Sequence, residues 1–188
     1  MDDQFKVLKH VSLALAATLE REVSAALGRP VRVLHRHDPA ELARGPALTL
    51  IHLEALTRGE NPDREYEQGP AGERFRRQPL PMRSRFLVSA WAQPPEDQEL
   101  LGAALRAFHD HPTLEVEGPA ADAAAYDAVP TVDLAAVPFA ELERIATAFR
   151  MPVAPSTSYW VSYQIRSAIS TPIKRVLERV VDYRQIKG

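Results

Sequence analysis

The sequence contains no cysteine. That excludes a disulfide framework, thiolate zinc sites and cysteine nucleophiles, and it fits folding in a reducing compartment. Glycine is scarce, at 8 of 188 residues, and no glycine-rich phosphate loop or dinucleotide fingerprint is present. There is no Gly-x-Ser-x-Gly elbow for a serine nucleophile. No apolar run approaches the roughly 18–20 residues that span a bilayer. The acidic start Met1-Asp2-Asp3-Gln4 leads into an amphipathic stretch and does not read as a signal peptide. Neither charge dominates: the formal net charge is −2, so no global field draws the chain to nucleic acid or to an anionic membrane.

What is present is ordinary globular material, with 45% hydrophobic and 26% charged residues, in a length suited to a single domain over residues 1–188. Sixteen prolines mark off the elements. A long helix is expected over about Asp3 to Leu27, with Asp3 as its cap and Leu8, Val11, Leu15, Leu19 and Val23 as its apolar stripe. Gly28-Arg29-Pro30 ends it. Val31–Leu34 and Ala47–Leu56 read as strands. The second is apolar on both faces, as a central strand is. The stretch Arg58–Met82 carries seven glycines and prolines among many charges and reads as a long charged loop.

Ser84–Ala92 alternates as a strand. Phe86, Val88 and Ala90 share one face, and Arg85, Leu87, Ser89 and Trp91 share the other. Pro94-Pro95 stops it. Glu96 and Asp97 favour the start of a second helix, with Asp97, Leu101, Leu105 and Phe108 on one side and His111-Pro112 at its close. Glu117–Val129 is alanine-rich and irregular. Val132 and Leu134 suggest a short strand. Pro138 opens a third helix with Phe139, Leu142, Ile145, Ala146 and Phe149 expected inward. Thr157–Ile169 is the clearest strand. The tail Ile173–Gly188 fits a helix or a strand.

Two His-x-His pairs, His35-Arg36-His37 and His109-Asp110-His111, have the spacing that could hold a zinc or iron ion on a strand. Their settings favour a plainer reading. The first lies beside a proline turn, and the second ends a helix, where histidine complements the negative end of the dipole. The carboxylate pairs Glu96-Asp97 and Glu141/Glu143 lie in first helical turns, which explains them equally well. The residues point to no enzyme, no metal and no cofactor. A basic-aromatic cluster, Arg74, Phe75, Arg76, Arg77 and Arg83, is the best candidate contact surface. It mixes residue types found in protein interfaces and in nucleic-acid contacts, but Glu60, Asp63, Glu65, Glu67 and Glu73 leave its loop near neutral.

Leu100-Leu101-Gly102, Leu105, Phe108 and His109-Asp110-His111-Pro112 together resemble the "LLG…L…HDHP" helix of a family of tail-cap, or terminator, proteins of extracellular contractile injection systems. Pro79-Leu80-Pro81 before a strand, the helix and turn from Phe139 to Pro155-Ser156, and Ser158-Tyr159 opening a strand are similar to the same family. The resemblance covers nearly the whole chain. It implies an α+β fold like that of phage tail terminators: a mainly antiparallel β-sheet packed against a long N-terminal helix and two further helices.

The resemblance also implies a homo-hexameric ring on the end of inner tube and sheath, which stops polymerisation and holds the sheath extended. Such a role needs no catalytic residue, no nucleic acid and no membrane. The protein would be made in the cytoplasm and built into a phage-tail-like particle. Leu101, Gly102, His109, Asp110, His111 and Pro112 then read as a structural signature. The alternatives are an accessory assembly factor of the same particle, a histidine-based metal enzyme, and a nucleic-acid module using the loop arginines.

Overall fold

The computed structural model describes residues 6–57, 64–69, 72–115, 129–165 and 170–172; for 64–69, 72–77 and 170–172 it describes the backbone path. The long helix, α1, runs Val7–Leu27; Asp3 lies outside the described residues. Val7, Val11, Ala14, Leu15, Leu19 and Val23 are buried along one stripe. Gly28 takes the left-handed conformation, φ 64°, and the backbone N–H groups of Gly28 and Arg29 close the helix on Ala25 and Ser24. This is the conformation that glycine adopts without a Cβ penalty.

Strand β1 (Arg32–Leu34) lies parallel to β2 (Ala47–Thr57). Between them sits a short helix, α2 (Pro39–Leu42), which the sequence reading missed. Its signal was local: Asp38 caps it by accepting from Ala40 and Glu41, with proline at the first position. Arg32 ties α2 to the strand, donating to the Glu41 carboxylate and to the Glu41 carbonyl.

β5 (Leu80–Trp91), α3 (Glu96–Asp110), β6 (Thr131–Ala135), α4 (Phe139–Ala148) and β7 (Ser156–Ile165) complete the main unit. Its five strands run in the order β1-β2-β5-β7-β6. All pairs after β1–β2 are antiparallel. β2 is flanked on both sides, as its doubly apolar sequence requires. The α+β class, with an antiparallel sheet against three main helices, is the one expected.

The charged stretch Arg58–Met82 is not a loop throughout. β3 (Arg64–Gly69) and β4 (Gly72–Arg77) form an antiparallel hairpin, and β8 (Ser170–Pro172) pairs with β4 to make a three-stranded sheet. Glycine and charge hid these strands, because β-pairing supplies hydrogen bonds whatever the side chains. Residues 58–63 and 70–71 lie outside the described residues. So do 116–128, most of the alanine-rich stretch, and 173–188, the ambiguous tail.

Two apolar layers sandwich the main sheet. On one face α1 and α3 cover Leu48, Leu50, Phe86, Val88, Ala90, Val132, Tyr159, Val161 and Tyr163. On the other, α4 and Met151 cover Ile51 and Leu87. The alternation expected in β5 therefore holds. Two helical faces differ from expectation. In α3 the buried line is Asp97, Leu100, Ala104, Ala107 and Phe108, while Leu105 is exposed. In α4 Leu142 and Ala146 are buried, but Phe139 and Phe149 are 65% and 48% exposed. A ten-residue helix buries only one narrow stripe, and both phenylalanines lie off it.

Candidate assembly interface

The register of the main sheet arranges its outer face in rows across the strands. Ile51, Leu87, Ser158 and Ala135 stand opposite one another on β2, β5, β7 and β6. All four are buried, and Ile51 and Leu87 pack against α4. The next row is Glu54, Arg85, Trp160 and Asp133. The row beyond is Leu56, Arg83, Ser162 and Thr131. Cover decreases along this series: Leu56 is 48% exposed, Thr131 is exposed, and Arg83 and Ser162 are half-buried.

Arg85 marks the boundary. Its side chain is buried, with Nη1 and Nη2 donating to the two Glu141 oxygens at 2.6 and 3.2 Å. Nη2 also donates to the Ala136 carbonyl at 3.1 Å. Glu54 adds a second carboxylate at 3.8 Å. Such a forked pair matches the planar guanidinium to the carboxylate and fastens α4 to the sheet. Glu141 thus has a partner as well as a place in the first helical turn.

Arg83 is arranged differently. Its guanidinium lies over the Trp160 ring, 4.6 Å from the centroid. Its Nε is buried and has no acceptor. Among the described residues no carboxylate pairs with it. Arg74, Phe75, Arg76 and Arg77 lie on β4, in register with Glu67, Tyr66, Glu65 and Arg64 of β3. β4 is the middle strand of its sheet, and the side chains of these four lie outside the described residues. Arg83 is thus on the main sheet, separated from the rest of the sequence cluster by Gln78-Pro79 and the start of β5.

The histidine motif ends α3. His109 and Asp110 are the last helical residues, and His111 follows as the cap, with its backbone N–H bonded to Ala107 at 3.0 Å. Asp110 accepts from Arg106 at 3.1 Å. His111 Nε2 lies 3.3 Å from the Glu22 carboxylate on α1. A hydrogen bond from Arg21, and then the nearby His111, hold the Glu22 carboxyl below its ordinary value against a small opposing effect of burial. The carbonyl of Pro112 accepts from Val132 at 2.7 Å, and Leu114 donates to Pro130. The motif therefore runs from helix end onto the edge of β6. Leu101 packs half-buried against the core, and Gly102 is exposed with open space around its Cα.

The first histidine pair is separate. His37 packs against Trp91 with ring centroids 4.8 Å apart and the rings tilted by 54°. Among the described residues, no three His, Asp or Glu side chains gather where they could hold a metal ion, and no helix is long and apolar enough to cross a membrane.

The fold is that of proteins that end contractile tails. The sheath/tube terminator of an extracellular contractile injection system, PVC, in its extended state is similar with a TM-score of 0.66 and 12% identity, over 96% of this chain and 65% of that one. The tube-terminating cap of the anti-feeding prophage is similar with a TM-score of 0.63 and 14% identity, over 92% of this chain and 60% of that one. This chain thus spans slightly less than two thirds of either protein. No curated protein sequence matches it. The model of the Pvc16 N-terminal domain family matches residues 10–177, and the chain belongs to that family.

Proposed function

We propose that this chain is a structural cap of a contractile injection system, ending the polymerisation of tube and sheath and stabilising the extended sheath. The observation that carries the reading is the family match over residues 10–177, joined to a fold shared with a sheath/tube terminator and a tube-terminating cap. The role is mechanical: it consists of presenting fixed surfaces, and it calls on no cofactor and no catalytic group. The cap would be a homo-hexameric ring, since closed rotational symmetry lets one surface meet its neighbours and another meet the tail. It would be made in the cytoplasm and leave with the particle where particles are released.

The hairpin β3–β4, bearing Arg74, Phe75, Arg76 and Arg77, is proposed as the arm that contacts a neighbouring subunit or the tube. The LLG…HDHP residues Leu101, Gly102, His109, Asp110, His111 and Pro112 are proposed to hold α3 against α1 and β6. All of residues 1–188 would act as one terminator-like domain.

The test is to locate the labelled protein on purified particles by electron microscopy, with Arg74, Arg76 and Arg77 intact or all changed to glutamate. Density at one end of intact particles supports the cap. Label along the whole sheath, or absent from mature particles, overturns it in favour of an accessory factor. The triple variant is expected to give uncapped tails of irregular length. Normal capped tails would remove the hairpin from the reading while leaving the cap in place.

A further inference from the structure

We infer that Arg83 and Trp160 form a preformed receptor for one carboxylate of another protein, seated beside the exposed Leu56 on the main sheet. This goes beyond the cap reading and does not depend on it. Three observations meet here.

First, the outer sheet face is covered over only part of its length. The row Ile51, Leu87, Ser158 and Ala135 is buried, with α4 packed on Ile51 and Leu87. Two rows further along, Leu56 and Thr131 are exposed and Arg83 and Ser162 half-buried. The exposed apolar side chain of Leu56 stands directly opposite Arg83 in the β2–β5 register.

Second, among the described residues no carboxylate pairs with the Arg83 cation. Glu54 and Glu141 are engaged by Arg85, and Asp133, opposite Trp160, makes no ion pair with Arg83. Arg83 has the Trp160 ring beneath it and a buried, unpaired Nε. The aromatic ring strips part of the water from one side of the guanidinium, so less desolvation remains when an anion arrives. Contact with the ring also restrains the guanidinium, and a restrained fork loses less entropy on pairing with a planar carboxylate.

Third, the surroundings select the kind of anion. Glu54, Glu141 and Asp133 lie in or beside the adjoining row. Their charge opposes a polyanion such as nucleic acid, whose successive phosphates would have to pass over them. A single carboxylate flanked by apolar residues meets Arg83 and Leu56 without that repulsion. Trp160 is already covered by Arg83, which removes the free aromatic face on which a base would stack. The occupant is therefore a protein segment presenting one isolated Asp or Glu beside an apolar side chain.

The experiment is an NMR titration of the full-length chain, following the Arg83 side-chain N–H and the Trp160 indole signal. The probes are the blocked peptide Gly-Leu-Glu-Leu-Gly, its glutamine counterpart, and a fifteen-residue oligodeoxythymidylate. The glutamate peptide is expected to shift both signals saturably. The glutamine peptide is expected to bind about tenfold more weakly, the factor that one charge-assisted hydrogen bond commands. Arg83→Gln, with its fold verified by its spectrum, is expected to abolish the response at Trp160.

Equal binding of the two peptides, or no binding, overturns the proposal. So does tighter binding of the oligonucleotide. Shifts that appear on concentrating the chain alone would assign the face to a second copy. Shifts produced in the full chain by Glu178→Gln with Asp182→Asn, without peptide, would assign it to the chain's own C-terminal residues; either result overturns a separate partner.

Discussion

Replacing Arg85 with alanine is expected to cost about 2–3 kcal/mol of folding stability. Breaking a buried ion pair from one side costs about 3–5 kcal/mol, mainly because the other charge is stranded. Here the stranded group, the Glu141 side chain, is 36% exposed, so water recovers part of that loss. The change also leaves the Ala136 carbonyl and the Ser158 hydroxyl without a donor, and each loses about 1 kcal/mol at most, since Ser158 retains its bond to Ala135. Urea unfolding followed by circular dichroism measures the sum, and hydrogen exchange locates it: α4 should lose protection first. The paired change Arg85→Met with Glu141→Leu removes both charges and should lie within about 1 kcal/mol of the parent, because no charge is left unpaired. A cost below about 0.5 kcal/mol for Arg85→Ala, or a double variant weaker than the single, would refute the view that this pair clamps α4 to the sheet.

Other outcomes follow from local geometry. Gly102→Ala should stabilise by about 0.5–1 kcal/mol, since α3 gains helix propensity and the added methyl meets open space; thermal melting checks it. Gly28→Ala should cost about 1 kcal/mol, because φ 64° burdens any Cβ; the same melt shows the opposite sign. Leu100→Ala, fully buried between α3 and the sheet, should cost about 3 kcal/mol in urea unfolding through the cavity it leaves.

Burial raises the phenol of Tyr159 well above its ordinary range, and it also raises that of Tyr163. A raised folded value stabilises fully below the unfolded value of about 10 and loses that contribution as pH rises past it. Stability should therefore fall above about pH 10, and Tyr159→Phe should flatten that fall; an unchanged alkaline slope would contradict the assignment.

The sequence alone determined the elements whose signal is local and periodic. The stripe of α1, the alternation of β5 and β7, the doubly apolar β2 and the Gly28 stop follow from side-chain spacing and a backbone preference, and each lies where its pattern puts it. The resemblance to tail caps was also carried by short motifs, LLG…HDHP and the proline turns. Tertiary structure decided what spacing cannot encode.

Phe139 and Phe149 are as apolar as any core residue, yet they lie at the two ends of α4, off the stripe it buries, and are exposed. The Gly- and charge-rich stretch around Arg74 forms strands because β3 and β4 pair with each other, and β4 is further paired with β8, about a hundred residues away in sequence. Arg83 and Arg85, two residues apart on one face of one strand, differ in kind only because α4 brings Glu141 to one and nothing to the other. Burial and pairing are properties of neighbours, and those neighbours come from distant parts of the chain.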